Sequence, residues 1–423
     1  LTHHGSPIEN HTVLSYFEKA RIIMIYLDGH STTPLDPAVF EAMTPYFLER
    51  FGNASHGVHR YNWEAEAAVE KAREQLAKAI GAHPKEVIFT SGATESNHLA
   101  LHGVAPALLR ANRRRILSIG IEHASVLGPL EQLEAQGFKV EWIQIAADGR
   151  VDLDDLRKKL GPDVGLVSVA YANHEIGTIQ DVRAISALAH EAGAWFHTDA
   201  VQAFGKIPVD VLRDGIDVMT LSAHKIHGPK GIGALYVRRK NPRVELEPIF
   251  WGGSQERGLR PGTPNSPAIV GFGKAAEIAA QRIDANAAQL RSLRDLLWSE
   301  LKEKLPCLLR NGSTEHALPN NLNVSVVGVD GAALFGRLKN VAVSNASACV
   351  NGIQDYSQVL TVLGVDRELA RSTLRFGLGR FTTKDEILAA AREVADVVTD
   401  LRRMEKEFAE QSGLGEQNGE CLR

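Results

Sequence analysis

The sequence predicts an α/β protein in which a large domain with a mainly parallel sheet, covered by helices, is joined to a smaller α+β domain. Three observations carry this expectation. From about residue 64 to 320, short apolar segments of strand length alternate with amphipathic segments of helix length, the order that builds parallel sheets. From about 282 the pattern changes to one long polar helix, a group of strands and a closing helix. A chain of 423 residues, 44% hydrophobic, is also long enough for two cores.

The elements follow in order. A short strand at Tyr26-Leu27 is expected to join the smaller domain. Glu64 to Ile80 has apolar residues at 65, 68, 69, 72, 76, 79 and 80, a helical stripe, and Gly81 is its expected stop. Strands are predicted at Val87-Ile88-Phe89, Ile116–Ile121, Val140–Ile145, Val164–Ala170, Trp195–His197 and Val218–Leu221, with helices from about 92 and over 126–136. A further strand, Ala234–Val237, follows a glycine-rich turn. Beyond the helix at 282, strands are predicted at Asn323–Val327, Val341–Val343 and Leu374–Leu378, then a helix over 384–409. The expected division is an N-terminal extension over 1–23, a large domain over 37–281, a small domain made of 24–36 and 282–410, and a disordered tail over 411–423. HHGS within 1–23 has the composition of an added tag, and Met24 is the expected natural start.

Composition narrows the partners. A formal net charge of −4 gives no reason to expect nucleic acid or an anionic membrane, and the basic groups at 113–115 and 238–240 read as solvated surface. No apolar run approaches the ~18 residues of a membrane span. Three widely spaced cysteines, Cys307, Cys349 and Cys421, suggest neither a disulfide framework nor a zinc site, so a reducing cytoplasm is the expected setting and no metal is expected.

Four segments at predicted strand ends carry chemistry, because open α/β sheets gather ligand groups at the carboxyl ends of their strands. Thr90-Ser91-Gly92-Ala93-Thr94 enters a helix and can cradle a phosphate on free N–H groups; an ordinary N-cap at Ser91 or Thr94 is the alternative. His123 can stack on an aromatic ligand and move protons, or be a hydrogen-bonded core histidine. Asp199 can pair with a protonated heterocyclic nitrogen, or cap a helix. Lys225, in LSAHKIHGPKGIG, can be a solvated surface group or, desolvated at a strand exit, a Schiff-base nucleophile. Ser222 and His224 supply donors beside it. A phosphate cradle, a stacking imidazole, an acid for a ring nitrogen and an imine-forming lysine together match what pyridoxal 5′-phosphate (PLP) requires.

The ordered segments YLDGHSTTPLDP, FGNASHG, FTSGATESN, EHASV, NHEIGTIQD, HTDAVQAFGKIPVD, SAHKIHGPKGIGALYVRR, GGSQERGLRPGT, SACVNG and STLRFGLGRFTT resemble the cysteine desulfurases of iron–sulfur cluster assembly, within the class V aminotransferases. The resemblance covers roughly 24–405. It implies a PLP-dependent fold type I transferase, similar to aspartate aminotransferase, acting as a homodimer. Such an enzyme takes sulfur from L-cysteine, releases L-alanine and passes the sulfur through an enzyme persulfide to an acceptor or scaffold protein. Carried over by motif, Lys225 binds the cofactor covalently, Asp199 meets the pyridine nitrogen, Gln202 the phenolic oxygen, and His123 the ring face. Ala93, Thr94, Ser222 and His224 hold the phosphate, with Thr263 reaching that of the other subunit. Arg375 and Asn173 meet the substrate, and Cys349 accepts sulfur. The chain departs from the family at His174, where a second asparagine is usual and where a histidine inherits its contact to the phenolic oxygen. It departs again around Cys349, where Asn345-Ala346 stands in place of the usual serines and glycine and Val350-Asn351 in place of serine-threonine. The rival readings are a selenocysteine lyase or another class V aminotransferase and, from a different class, a cysteine hydrolase using Cys349, which leaves Lys225 and Asp199 unexplained.

Overall fold

The computed structural model describes residues 24–55, 57–345 and 357–412. Seven strands form the main sheet: β2 (Val87–Thr90), β3 (Arg115–Ile119), β4 (Lys139–Ile143), β5 (Val164–Ser168), β6 (Trp195–Asp199), β7 (Val218–Ser222) and β8 (Gly233–Val237). Their spatial order is β2-β8-β7-β6-β5-β3-β4. The five strands from β7 to β4 run parallel, and β8 is antiparallel to both β2 and β7. That single reversal follows from the short turn 223–232, which is too brief for a helical crossover.

Successive residues of these strands enter different cores, as a two-residue repeat requires. Ile88, Ile116, Leu166, Val218 and Leu235 pack on the helices Ala93–Arg110 and Ala124–Ala135. Phe89, Leu117, Val167, Met219 and Tyr236 pack on the opposite side, with the helices Arg60–Ala79 and Ser266–Gln281. Burial on both faces explains why these strands read as continuous apolar runs.

A third core belongs to the C-terminal region. There β9 (Leu308–Arg310), β10 (Asn321–Val326) and β12 (Thr373–Gly377) form an antiparallel sheet in the order β12-β10-β9, and β1 (Ile25–Tyr26) pairs with β11 (Val341–Ala342) in parallel. Ile387, Ala390, Val394 and Val398 of the closing helix Lys384–Ser412 supply its buried stripe. That helix runs past the expected end at 409. The polar helix expected from 282 starts at Ile283, because Arg282 breaks it from Ser266–Gln281. One expectation is corrected: no disulfide was expected among the three cysteines, yet Cys307 is half-buried and disulfide-bonded. Among the described residues no helix is long and apolar enough to cross a membrane.

The two regions meet around His227. Its Nδ1 faces the Pro34 carbonyl at 3.0 Å and its Nε2 accepts the Arg380 N–H at 3.3 Å, so the neutral ring uses both nitrogens. Burial and the Arg380 guanidinium hold His227 down to about 4, and burial alone holds His197 to about 3. In the unfolded chain both return to about 6.5. Between those values the unfolded state binds more protons, so stability is complete above about pH 6.5 and is lost as pH falls towards 4. The thermal midpoint of the holoenzyme, followed by circular dichroism, is expected to drop over that window. The drop should be shallower in His227→Gln; equal slopes would exclude His227 as a source.

Candidate active site

The carboxyl ends of β2, β5, β6 and β7 open into a cavity of about 530 Å³, within the usual range for a small-molecule site. After β7 the chain makes a single 3₁₀ turn, Ala223–Lys225, which carries the lysine side chain over the sheet end. There Lys225 Nζ donates to the carbonyl oxygens of His30 and, at 2.7 Å, Ser31. The strand exit thus turns the amine into the cavity, where a helix face would have left it in solvent.

At one end of the cavity lies the start of the helix Ala93–Arg110, lined by Gly92, Ala93 and Thr94. Its first N–H groups have no intrahelical partner and sit at the positive end of the helix dipole. Gly92 is the N-cap residue and no side chain caps the helix, so neither Ser91 nor Thr94 is spent as a cap. Glycine matters across the loop, at Gly233, where a Cβ would lie 2.7 Å from the Gly92 carbonyl carbon. Glu95 brings a carboxylate into the same turn. Burial opposes its charge, but Arg260 and the Ser91 N–H outweigh burial and hold its carboxyl below the usual range. Ser222, His224 and Lys230 complete this end. His224 is held to about 4 by burial and the neighbouring Lys225 charge, so it is a neutral donor or acceptor at pH 7.

Asp199 stands at the end of β6 and also lines the cavity. It does not cap a regular helix: its Oδ1 accepts the Val201 N–H at 3.0 Å and its Oδ2 accepts Asn97 Nδ2 at 2.8 Å. Asn97 lies one turn into the same helix that opens with the phosphate-type cradle, so one helix organises two separate groups. His123 is the N-cap of the helix Ala124–Ala135, and its Nδ1 accepts the Ser125 N–H at 3.1 Å. Burial pulls His123 below the usual imidazole range, so the ring is neutral with its proton on Nε2. His174 meets His123 edge-on, 5.1 Å between ring centres. Burial, with His123 and Arg375 close by, holds it well below 6.5, so it too is neutral.

Arg375 on β12 reaches the cavity from the C-terminal region. It donates to the His174 carbonyl at 3.2 Å, to Ser31 Oγ at 2.9 Å and to Asp28 at 3.3 Å, while its buried Nε has no acceptor among the described residues. A planar guanidinium with a spare N–H suits a carboxylate.

Of the residues expected from sequence, Ala93, Thr94, His123, His174 and Asp199 share this cavity, together with Gln202, Ser222, His224, Lys225 and Arg375. Asn173 is not among the residues lining the cavity: it is buried, donating to the Ile121 carbonyl at 2.9 Å and accepting the Glu175 and Ile176 N–H groups, so its amide shapes the turn. Thr263 is exposed and outside this cavity. Cys349 lies outside the described residues. The sequence reading missed His30, Asn97 and Glu122. Glu122 lines the cavity, its Oε2 without a partner among the described residues, and burial pushes its carboxyl well above the usual range. Its place directly before His123 was the available signal.

Comparison with known proteins places these features in company. The sequence profile described as Aminotransferase class-V matches residues 25–389. A cysteine desulfurase, IscS, of Anaeromyxobacter dehalogenans is 49% identical over 382 residues, covering 90% of this chain and 94% of that one. The mitochondrial cysteine desulfurase of Arabidopsis thaliana is 46% identical over 380 residues, covering 90% of this chain and 83% of its own. A solved NifS-like protein superposes with a TM-score of 0.83 at 36% identity, over 89% of this chain and 100% of that one. A structure described as SspA in complex with cysteine gives a TM-score of 0.74 at 34% identity, over 85% and 99%.

Proposed function

The chain belongs to the class-V aminotransferase family and is a PLP-dependent cysteine desulfurase of iron–sulfur cluster assembly, and from that premise we propose how its own residues divide the work. The observation that carries the proposal is the cavity itself. It has a helix-start cradle at one end, the Asp199 carboxylate at another, a neutral imidazole, and a lysine amine, with an arginine N–H lacking an acceptor. That donor set fits PLP and an amino-acid carboxylate, and the sequence has no GxxxxGK[ST] loop to support a nucleoside-triphosphate P-loop.

Ala93, Thr94, Ser222 and His224 would hold the phosphate, and Asp199, braced by Asn97, the ring nitrogen. His123 would cover the ring face, and Gln202 and His174 the phenolic oxygen. When bound, PLP supplies an electron sink for charge developing on the substrate's α-carbon. Lys225, steered by two backbone carbonyls, binds the cofactor and moves protons at its Nζ. His123 offers its Nε2 proton to the same space. Arg375 orients the substrate through its carboxylate, and Cys349 accepts the sulfur for transfer to an acceptor protein. The expected setting is cytoplasmic.

The working unit we propose is a homodimer. Phe40, Phe47, Phe51, Trp63 and Trp251 are exposed, Trp251 at 82%, an apolar surface that a second copy would cover. Thr263, outside its own cavity, then has a neighbour's to serve. Sedimentation should return a dimer; a fully loaded monomer would remove Thr263 from the site.

The decisive assay adds L-cysteine to the purified holoenzyme and follows the visible spectrum, alanine and sulfide. Equimolar alanine and sulfur, with a spectral change on mixing, are expected. A colourless protein, or alanine formed only from selenocysteine, would overturn the assignment.

A further inference from the structure

Lys206 is buried, only 6% exposed, and among the described residues no carboxylate is a hydrogen-bond partner of its Nζ. It sits four residues after Gln202, in the turns that follow β6, and its Nζ lies 3.0 Å from Gln202 Oε1. A buried cationic side chain without a counter-charge is costly, and burial together with the Lys225 charge brings it down to about 7. A group kept at such a cost invites a functional explanation.

The hydrogen bonds around Gln202 provide one. His30 Nε2 meets Asn321 Nδ2 at 3.0 Å, and an amide nitrogen can only donate, so Nε2 is the acceptor. Burial and the Lys206 charge keep His30 neutral, so its proton is on Nδ1, which donates to Gln202 Oε1 at 2.9 Å. Oε1 therefore receives two donors, His30 Nδ1 and Lys206 Nζ. Gln202 Nε2 gives one hydrogen to the His30 carbonyl at 3.1 Å, and its second remains for the cavity that Gln202 lines. Turning the amide over would set an NH₂ against two donors. Neutral amine and ammonium both have an N–H to give, so the arrangement holds on either side of pH 7.

We propose that Lys206 is a positioning residue: with His30 it fixes the Gln202 carboxamide so that an N–H, not the carbonyl, faces the phenolic oxygen of the bound cofactor. This rests on the reading of Gln202 given above. Without Lys206, one donor still favours the working orientation but the reversed amide becomes accessible, and the cofactor oxygen loses its donor for part of the time.

A double-mutant cycle on the PLP-loaded protein tests this, with the visible band, its apparent pKa and the rate of cofactor release as readouts. Gln202→Ala should shift the apparent pKa and speed release by roughly two- to tenfold, as loss of one hydrogen bond implies. Lys206→Met should move both in the same direction, and Gln202→Ala/Lys206→Met should equal Gln202→Ala alone. If Lys206→Met does not fold, Lys206→Gln, one atom too short to reach Oε1, enters the same cycle. A shift on removing Lys206 that persists in the Gln202→Ala background, or no shift at all, overturns the positioning role while leaving Gln202 in place. No change in Gln202→Ala itself overturns both.

Discussion

Lys225→Ala is expected to abolish turnover of L-cysteine while leaving the fold intact. Its Nζ is assigned two tasks, covalent attachment of the cofactor and proton transfer. The second alone is worth ~10²–10⁴-fold in typical enzymes. Neither neighbouring lysine can stand in. Lys206 is buried with its Nζ on Gln202, and Lys230 is exposed at the cavity mouth. Truncation frees the His30 and Ser31 carbonyls, which border an open cavity that water can enter, so the cost in stability should be small. Borohydride treatment followed by peptide mapping reads the result directly. Wild-type protein should carry the reduced cofactor on the Lys225 peptide, and the variant should carry none. A variant that still yields a normal lysine adduct would exclude Lys225.

That lysine was legible in the sequence because four local signals converge on it. The strands β2, β3, β5 and β7 are buried almost throughout and read as apolar runs, so their ends can be found; Thr94, His123 and Lys225 follow such ends, and Asp199 closes β6. Contacts made across the fold were not legible. His30 lies 195 residues from Lys225, in a segment anchored to β12, where a Cβ on Gly377 would come within 2.6 Å of the His30 nitrogen. Nothing in YLDGHSTTP alone says that its carbonyls aim at a distant amine. Asn173 was ambiguous for the opposite reason. An asparagine shortly before Glu-Ile-Gly is as suitable for holding a turn as for binding a ligand, and only the structure shows its three hydrogen bonds to backbone groups in the turn.

His174 stands where the resemblance leads one to expect an asparagine, and its surroundings decide its charge. A protonated imidazole there would repel Lys225, Arg375 and His123, but burial and those same charges keep it neutral. A neutral imidazole presents one N–H, so it can do for the phenolic oxygen what an asparagine amide does. The Arg375 hydrogen bond to the His174 carbonyl fixes the backbone at this position whatever its side chain.

Cys349→Ser is expected to separate the cofactor chemistry from sulfur transfer. The proposed step is attack by the Cys349 thiolate on the sulfur of the bound cysteine. A sulfur–sulfur bond forms, the substrate's carbon–sulfur bond breaks, and its electron pair passes to the carbon side, which is protonated to give alanine. A serine hydroxyl is a far weaker nucleophile near neutral pH and cannot store the sulfur as a persulfide. The variant should therefore bind PLP with an unaltered visible band and respond spectrally to L-cysteine, since neither event needs this thiol. Alanine formation should fall by orders of magnitude, and alkylation followed by mass spectrometry should find no added sulfur atom. Cys307 is the internal control, because it is not among the residues lining the cavity, so Cys307→Ser should still form the persulfide. Near wild-type alanine production by Cys349→Ser, without added thiol, would move the sulfur-accepting role to another group.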